Sequence, residues 1–261
     1  MTQALRWVRL EGGADGVRVL TLDRPPVNAL GRELVEDLTR AIADAAQDGA
    51  ARCLIVRSAG KHFCAGADLK ERRTMSVDEV REFVPRLAGV CNALAAVPFP
   101  TIAAVTGAAA GGGCELALAC DLRVLARDAS IGLRETALAI LPAAGGTQRL
   151  TRLVGPARAK RWIFSARMFS GEEALADGVA DRLAAPEELE AEARSLAEEI
   201  AKNGPVAVRQ AKLAIDRGAE LPLEQGLALE WDCYQRTLDT DDRVEALKAF
   251  AEKRPPRFRG E

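Results

Sequence analysis

Gly111-Gly112-Gly113-Cys114-Glu115-Leu116-Ala117-Leu118-Ala119-Cys120-Asp121 sets three glycines directly ahead of an apolar helical run, with a glutamate inside its first turn. Glycine lets a backbone turn sharply and lets another group approach its N–H closely. A helix start leaves several N–H donors unpaired, aimed outward and backed by the positive end of the dipole. Such a place holds an anion, whether a standing one or one that develops during a reaction. A carboxylate beside it is a candidate proton carrier. The plainer alternative is a turn before a helix, with Glu115 merely complementing the dipole. The surrounding sequence has to decide between them.

Working outward, Thr101-Ile102-Ala103-Ala104-Val105 precedes this segment as a buried strand, and Leu122-Arg123-Val124-Leu125 follows it as another. Earlier, Val17-Arg18-Val19-Leu20-Thr21-Leu22 predicts a strand that stops at Asp23-Arg24-Pro25-Pro26. A helix follows, with Leu30, Leu34, Leu38, Ile42 and Ala45 on one face. Cys53-Leu54-Ile55-Val56 is a further strand, and a helix starts near Ser76, an N-cap ahead of Glu79. Strands separated by helices indicate an α/β fold with crossover connections.

From about Pro156 the pattern turns mostly helical. Leu189, Ala193, Leu196 and Ile200 mark one face of an amphipathic helix between Glu187 and Lys202. Leu223, Leu227, Trp231, Tyr234 and Leu238 form a second stripe, and Thr240-Asp241-Asp242 caps a last helix carrying Val244, Leu247 and Phe250. Apolar stripes of this size are either core or subunit contacts.

At 261 residues the chain suits one large domain, or one domain plus a small appendage. Apolar residues make up 48% and charged residues 28%, the balance of a soluble globular protein. A net charge of −2 gives no global attraction to nucleic acid or anionic membranes. The six cysteines form no CxxC, and His62 is the single histidine, so no zinc site is expected. Met1-Thr2-Gln3-Ala4-Leu5-Arg6-Trp7 lacks the apolar core of a signal peptide, and no run approaches a membrane span. Reduced cysteines and a cytoplasmic setting are expected.

Three more segments carry chemistry beside the glycine triplet. Phe63-Cys64-Ala65-Gly66-Ala67-Asp68-Leu69-Lys70 is a small-residue turn whose backbone can come close to a ligand, with Lys70 in reach of a phosphate. Ser130-Ile131-Gly132-Leu133-Arg134-Glu135 supplies a second carboxylate in a loop. Leu141-Pro142-Ala143-Ala144-Gly145-Gly146-Thr147-Gln148-Arg149-Leu150 is another glycine-rich approach to a helix. Each alone is an ordinary turn or a solvated loop.

In this order and at these spacings, the four segments resemble the enoyl-CoA hydratase/isomerase (crotonase) superfamily. The similarity runs from Leu20-Thr21-Leu22-Asp23-Arg24-Pro25 to Lys253-Arg254-Pro255-Pro256-Arg257-Phe258. Within it the chain looks most like the methylglutaconyl-CoA hydratases. Phe63 to Arg72, Ile163-Phe164-Ser165-Ala166-Arg167 and Glu252-Lys253-Arg254-Pro255-Pro256-Arg257 carry that likeness.

The resemblance implies a spiral of ββα turns over residues 1–195, holding the active site, and a C-terminal helical trimerisation region over 196–261. It implies a homotrimer, or a homohexamer made as a dimer of trimers. The backbone N–H groups of Ala67 and Gly112 would form an oxyanion hole for the thioester oxygen of an acyl-CoA. Glu115 and Glu135 match the two catalytic glutamates, which would hold one water, deliver its hydroxyl to C3 and supply a proton at C2. Ala65, Asp68, Leu69 and Lys70 match positions lining the coenzyme A path. Coenzyme A is then part of the substrate, and neither a separate cofactor nor a metal is expected.

The substrate implied is 3-methylglutaconyl-CoA, hydrated reversibly to 3-hydroxy-3-methylglutaryl-CoA in leucine breakdown. Its distal carboxylate needs a cation or open water, since burying it unpaired costs several kcal/mol. Arg72, Arg73 and Arg86 are the candidates near the acyl end. One departure stands out: many relatives have glycine after the Pro142 position, where this chain has Ala143 and Ala144. Alanine keeps the N–H but not a glycine-only backbone angle.

Other functions of the same fold make different demands. A general short-chain enoyl-CoA hydratase would share every motif. A Δ3,Δ2-enoyl-CoA isomerase generally lacks one of the two glutamates, and both are present. Some methylglutaconyl-CoA hydratases also bind RNA through a lysine comb on the first helix. Its positions here are Arg32, Glu36 and Arg40, on one face but interrupted by Glu36, with Asp37, Asp44 and Asp48 nearby. RNA binding is therefore not expected. A catalytically dead scaffold would have lost a glutamate or the glycine triplet.

Overall fold

The computed structural model describes residues 5–261, so the opening Met1 to Ala4 of the stretch argued to lack a signal peptide lies outside the described residues. Its strands are β1 (Val8–Gly12), β2 (Val17–Leu22), β3 (Cys53–Ser58), β4 (Thr101–Val105), β5 (Ala108–Ala110), β6 (Leu122–Ala126), β7 (Ser130–Gly132), β8 (Phe169–Ser170) and β9 (Arg182–Ala184). Its α-helices are α1 (Arg32–Gln47), α2 (Leu69–Arg72), α3 (Val77–Ala95), α4 (Gly112–Leu118), α5 (Gly146–Ser165), α6 (Gly171–Asp177), α7 (Leu189–Ala201), α8 (Pro205–Gly218), α9 (Leu223–Leu238) and α10 (Asp241–Glu252). One sheet runs in the order β1-β2-β3-β4-β6-β9, and a smaller one in the order β5-β7-β8. Among the described residues only the β1–β2 and β7–β8 pairs are antiparallel.

All five residues of β4 are buried, as a central parallel strand covered on both faces should be. Helix α7 covers β3, β4 and β6 from one side, burying Leu189, Ala193, Leu196 and Ala197. Helix α1 buries Leu34, Leu38, Ile42 and Ala45, the predicted stripe, against β1 and α3. Leu30, expected on the same helical face, instead precedes the helix. Gly31 holds the extended N-cap position, and Leu30 makes a parallel bridge with Ala67. That exchange ties the start of α1 to the turn after β3. Ser76 and Glu79 form a reciprocal capping box at the start of α3, as expected.

Two expectations change. Ser130-Ile131-Gly132 is a strand rather than a loop, and it aligns β5 in parallel, Ala109 opposite Ile131. The region after Pro156 also contains β8 and β9, two and three residues long. Elements that short complete no period, so a helical pattern around them hides them.

α8 and α9 pack together, and α8 is anchored to the core by Lys212, whose ammonium meets Asp121 at 2.7 Å and the Phe99 carbonyl at 3.2 Å. Thr240 caps α10 through the Arg243 N–H, as expected. No helix among the described residues is long and apolar enough to cross a membrane.

Candidate active site

Two backbone segments that are distant in sequence run side by side. Cys64 N–H donates to the Ala108 carbonyl and Ala110 N–H to the Cys64 carbonyl, a parallel bridge between Cys64 and Ala109. Further along both segments Gly66 lies against Ala110 and Gly112, so Ala67 follows directly on a residue in contact with Gly112. The approach is very close. A Cβ on Gly66, whose φ is +84°, would stand 2.5 Å from the Ala110 carbonyl oxygen and 3.1 Å from the Gly112 nitrogen. A Cβ on Gly113 would collide with the Cys64 carbonyl. Glycine is needed here for proximity as much as for its torsion angles. Neither Ala67 N–H nor Gly112 N–H has a partner among the described residues, and Gly112 opens α4 at its dipole-positive end.

Glu115 sits one turn into α4 and is only 3% exposed. Its Oε1 accepts hydrogen bonds from the N–H groups of Ala144 at 2.7 Å and Gly146 at 2.8 Å. The lead-in to α5 thus serves as a cradle for this carboxylate. Ala143 and Ala144 do not disturb it, because the positive φ of this loop falls on Gly145, at +108°. Burial raises the pKa of Glu115, while the two N–H donors and the Arg149 charge oppose the rise.

Glu135 begins a one-turn 3-10 helix, Glu135–Leu138, directly after β7. Its Oε1 lies 2.9 Å from where a Cβ of Gly111 would stand, and its Oε2 is buried with no hydrogen-bond partner. Burial first, and the Glu115 charge second, push its pKa up to about 7. The buried Glu115 and the half-buried Glu135 are therefore close enough to feel each other's charge, and they differ. Glu115 has donors that favour its anion, and Glu135 has none that act on Oε2.

The remaining predicted residues surround this centre. Ala65 is exposed, and its N–H donates to the Val27 carbonyl. The Asp68 carboxylate caps α2 through the Lys70 and Glu71 N–H groups and pairs with Arg24 at 2.9 Å, so its side chain has a structural task. Leu69 and Lys70 project from α2 and are exposed. Arg72 ends α2, Arg73 follows it, and Arg86 stands exposed on α3. Among the described residues no cluster of three or more His, Cys, Asp or Glu side chains could hold a metal, and His62 accepts the Ala108 N–H at 3.2 Å. Of the comb positions, Arg32 is spent on Glu71 and Glu79, and Arg40 meets Asp37.

Sequence reasoning missed the cradle donors and Arg149. The repeated glycines before α5 were the only signal, and they do not say which N–H groups turn inward.

The sequence pattern described as "Enoyl-CoA hydratase/isomerase" matches residues 12–261. A cattle (Bos taurus) protein named "Enoyl-CoA hydratase domain-containing protein 2, mitochondrial" is 50% identical over 97% of this chain and 87% of its own length. The human "Methylglutaconyl-CoA hydratase, mitochondrial" is 49% identical over 98% of this chain and 78% of its own. The crystal structure of an enoyl-CoA hydratase from Bacillus anthracis superposes with a TM-score of 0.96 at 42% identity, covering 98% of this chain and 100% of that one. The chain belongs to the enoyl-CoA hydratase/isomerase family and has its crotonase-type α/β fold. It is a hydratase, a hydro-lyase, from a family that acts on acyl-CoA thioesters.

Proposed function

We propose that the chain adds water reversibly and syn across the double bond of 3-methylglutaconyl-CoA, giving 3-hydroxy-3-methylglutaryl-CoA, a step of leucine breakdown. The observation that carries the chemistry is the unequal pair of a buried Glu115 and a half-buried Glu135, with the unpartnered N–H groups of Ala67 and Gly112 nearby in the chain. The thioester oxygen is held by those two N–H groups as it becomes enolate-like, each such donor being typically worth about 3 kcal/mol in the transition state. Glu115, with donors that favour its anion, takes a proton from water as the oxygen bonds to C3. Glu135, whose raised pKa of about 7 leaves it partly protonated near neutral pH, gives its proton to C2. The proton left on Glu115 returns to solvent, Glu135 is reprotonated, and the sum is one water added.

Coenzyme A enters as part of the substrate, along Ala65, Asp68, Leu69 and Lys70, and no further cofactor takes part. The C-terminal helices support assembly as a trimer or a dimer of trimers. Six unpaired, buried thiols fit a reducing compartment such as the cytoplasm.

The acyl group rests on the likeness to the human methylglutaconyl-CoA hydratase. A general short-chain enoyl-CoA hydratase is the second reading, favoured by equal likeness to the differently named cattle protein. The test is kcat/KM for 3-methylglutaconyl-CoA against crotonyl-CoA within a panel of short enoyl-CoA thioesters. A preference for the branched diacid thioester supports the proposal. A tenfold or greater preference for crotonyl-CoA, about 1.4 kcal/mol, replaces it with the general reading.

A further inference from the structure

We propose that Arg149 is a positioning residue for the hydration: its guanidinium ties the Ala144 carbonyl to Asn92 and so fixes the two N–H donors that hold the Glu115 carboxylate. The inference rests on the role proposed above for Glu115. Arg149 lies in the first turn of α5, immediately beyond the cradle. One of its Nη atoms donates to the Ala144 carbonyl at 3.0 Å, and the other to Asn92 Oδ1 on α3 at 2.8 Å. The peptide units on the two sides of Ala144 thus carry opposite duties. Its N–H points to Glu115 and its C=O to Arg149. A planar guanidinium spanning two acceptors fixes direction in a way a single ammonium does not. Arg149 also fills the space a Cβ of Gly145 would need, so the loop and the guanidinium are packed as one unit.

The arrangement acts on charge as well as on shape. The titratable and charged groups that face Glu115 are Arg149 from α5, Glu135 from the 3-10 turn, Cys91 from α3 and Cys114 beside it on α4. Burial keeps both thiols neutral, Cys91 with a pKa near 12 and Cys114 raised well above the usual thiol range. Arg149 is therefore the cation in this surround, and it favours the ionised form of Glu115. Loss of Arg149 loosens the cradle and removes a charge that opposes the effect of burial.

The experiment compares Arg149→Met, Arg149→Lys and Asn92→Ala with wild type and with Glu115→Gln, using the pH profile of kcat and the split between kcat and KM on one enoyl-CoA thioester. Arg149→Met is expected to lower kcat about ten- to hundredfold with little change in KM, the scale on which a small misplacement acts. The acid limb of its profile moves to higher pH. Arg149→Lys keeps a charge without the fork, so its acid limb stays nearer wild type while kcat still falls. Asn92→Ala lowers kcat by a few-fold. An Arg149→Met enzyme with an unmoved acid limb overturns the inference, as does a loss confined to KM. If Arg149→Met does not fold, Asn92→Ala decides, and a kcat equal to wild type overturns the inference. Retained activity in Glu115→Gln refutes instead the role of Glu115, so the two failures are told apart.

Discussion

α1 and α9 are each 16 residues long and both amphipathic, yet they use their apolar faces in opposite ways. α1 buries Leu34, Val35, Leu38, Ala41, Ile42 and Ala45 in the core of its own chain. α9 buries Cys233 alone and leaves Leu223, Leu227, Trp231 and Tyr234 more than half exposed. α10 repeats the second pattern, with Phe250 86% exposed. Sequence periodicity is the same in both cases, so periodicity reports that a face exists and not what covers it. The difference sets a helix that completes the core of its own chain against two helices that leave apolar side chains facing outward. Exposed apolar side chains in this number are what an interaction surface offers, and the trimer or dimer of trimers proposed above would cover them.

The largest expected effect tests the spiral. Glu115→Gln and Glu135→Gln are each expected to lower hydratase kcat about 10² to 10⁴-fold while leaving the assembly state unchanged. Full activity in either variant, with circular dichroism matching wild type, removes the paired-carboxylate mechanism. The next test addresses the two helices with outward apolar side chains. Replacing Trp231 and Phe250 with aspartate should shift sedimentation from oligomer to monomer, because each large apolar side chain buried at a contact contributes about 1.5–3 kcal/mol. A wild-type protein that sediments as a monomer breaks the comparison outright.

A smaller effect joins charge to stability. The Glu135 carboxyl has its pKa raised from 4.5 to about 7, so across that window the folded chain holds a proton that the unfolded chain has released. Stability therefore falls as pH rises through the window. Glu135→Gln removes the liability, and its Tm should exceed that of wild type by more at about pH 8 than at about pH 5. Equal differences at both pH values would show that Glu135 is not held protonated in the fold. The smallest effect expected is on RNA. At physiological salt, filter binding should show weak, nonspecific affinity, insensitive to Arg32→Ala and Arg40→Ala. Tight binding abolished by those changes would give α1 an outward function the comparison denies it.

Much of the spiral was legible because its strands are long and apolar. Val17–Leu22 and Thr101–Val105 occupy the predicted spans, and β3 and β6 extend theirs by two residues and one. Ser76 and Thr240 announced their helices by side-chain chemistry that acts locally. The second sheet was not legible, since β5, β7 and β8 are two or three residues long and depend on partners far along the chain. The site divides in the same way. Glu115 and Glu135 stand out as carboxylates near glycines, but that they come close enough to interact follows from the pairing of β5 with β7, which no local pattern encodes. The Ala144 N–H is less visible still, because a backbone donor leaves no mark on residue type. At Ala143 and Ala144 the lack of glycine proved harmless, since the torsion that demands one falls on Gly145.

The crowding of Gly66 against Ala110, and of Gly113 against Cys64, bears on how such an enzyme can diversify. Where main chain touches main chain, even one added methyl group must part the two segments, so this portion of the site admits almost no variation. The exposed apolar run Leu138, Ile140 and Leu141, immediately beyond Glu135, is under no such constraint. Selection can change residues there without disturbing the donors. Tolerance to substitution thus changes sharply over a short stretch of the molecule, from main-chain contact that admits no Cβ to side chains that meet solvent.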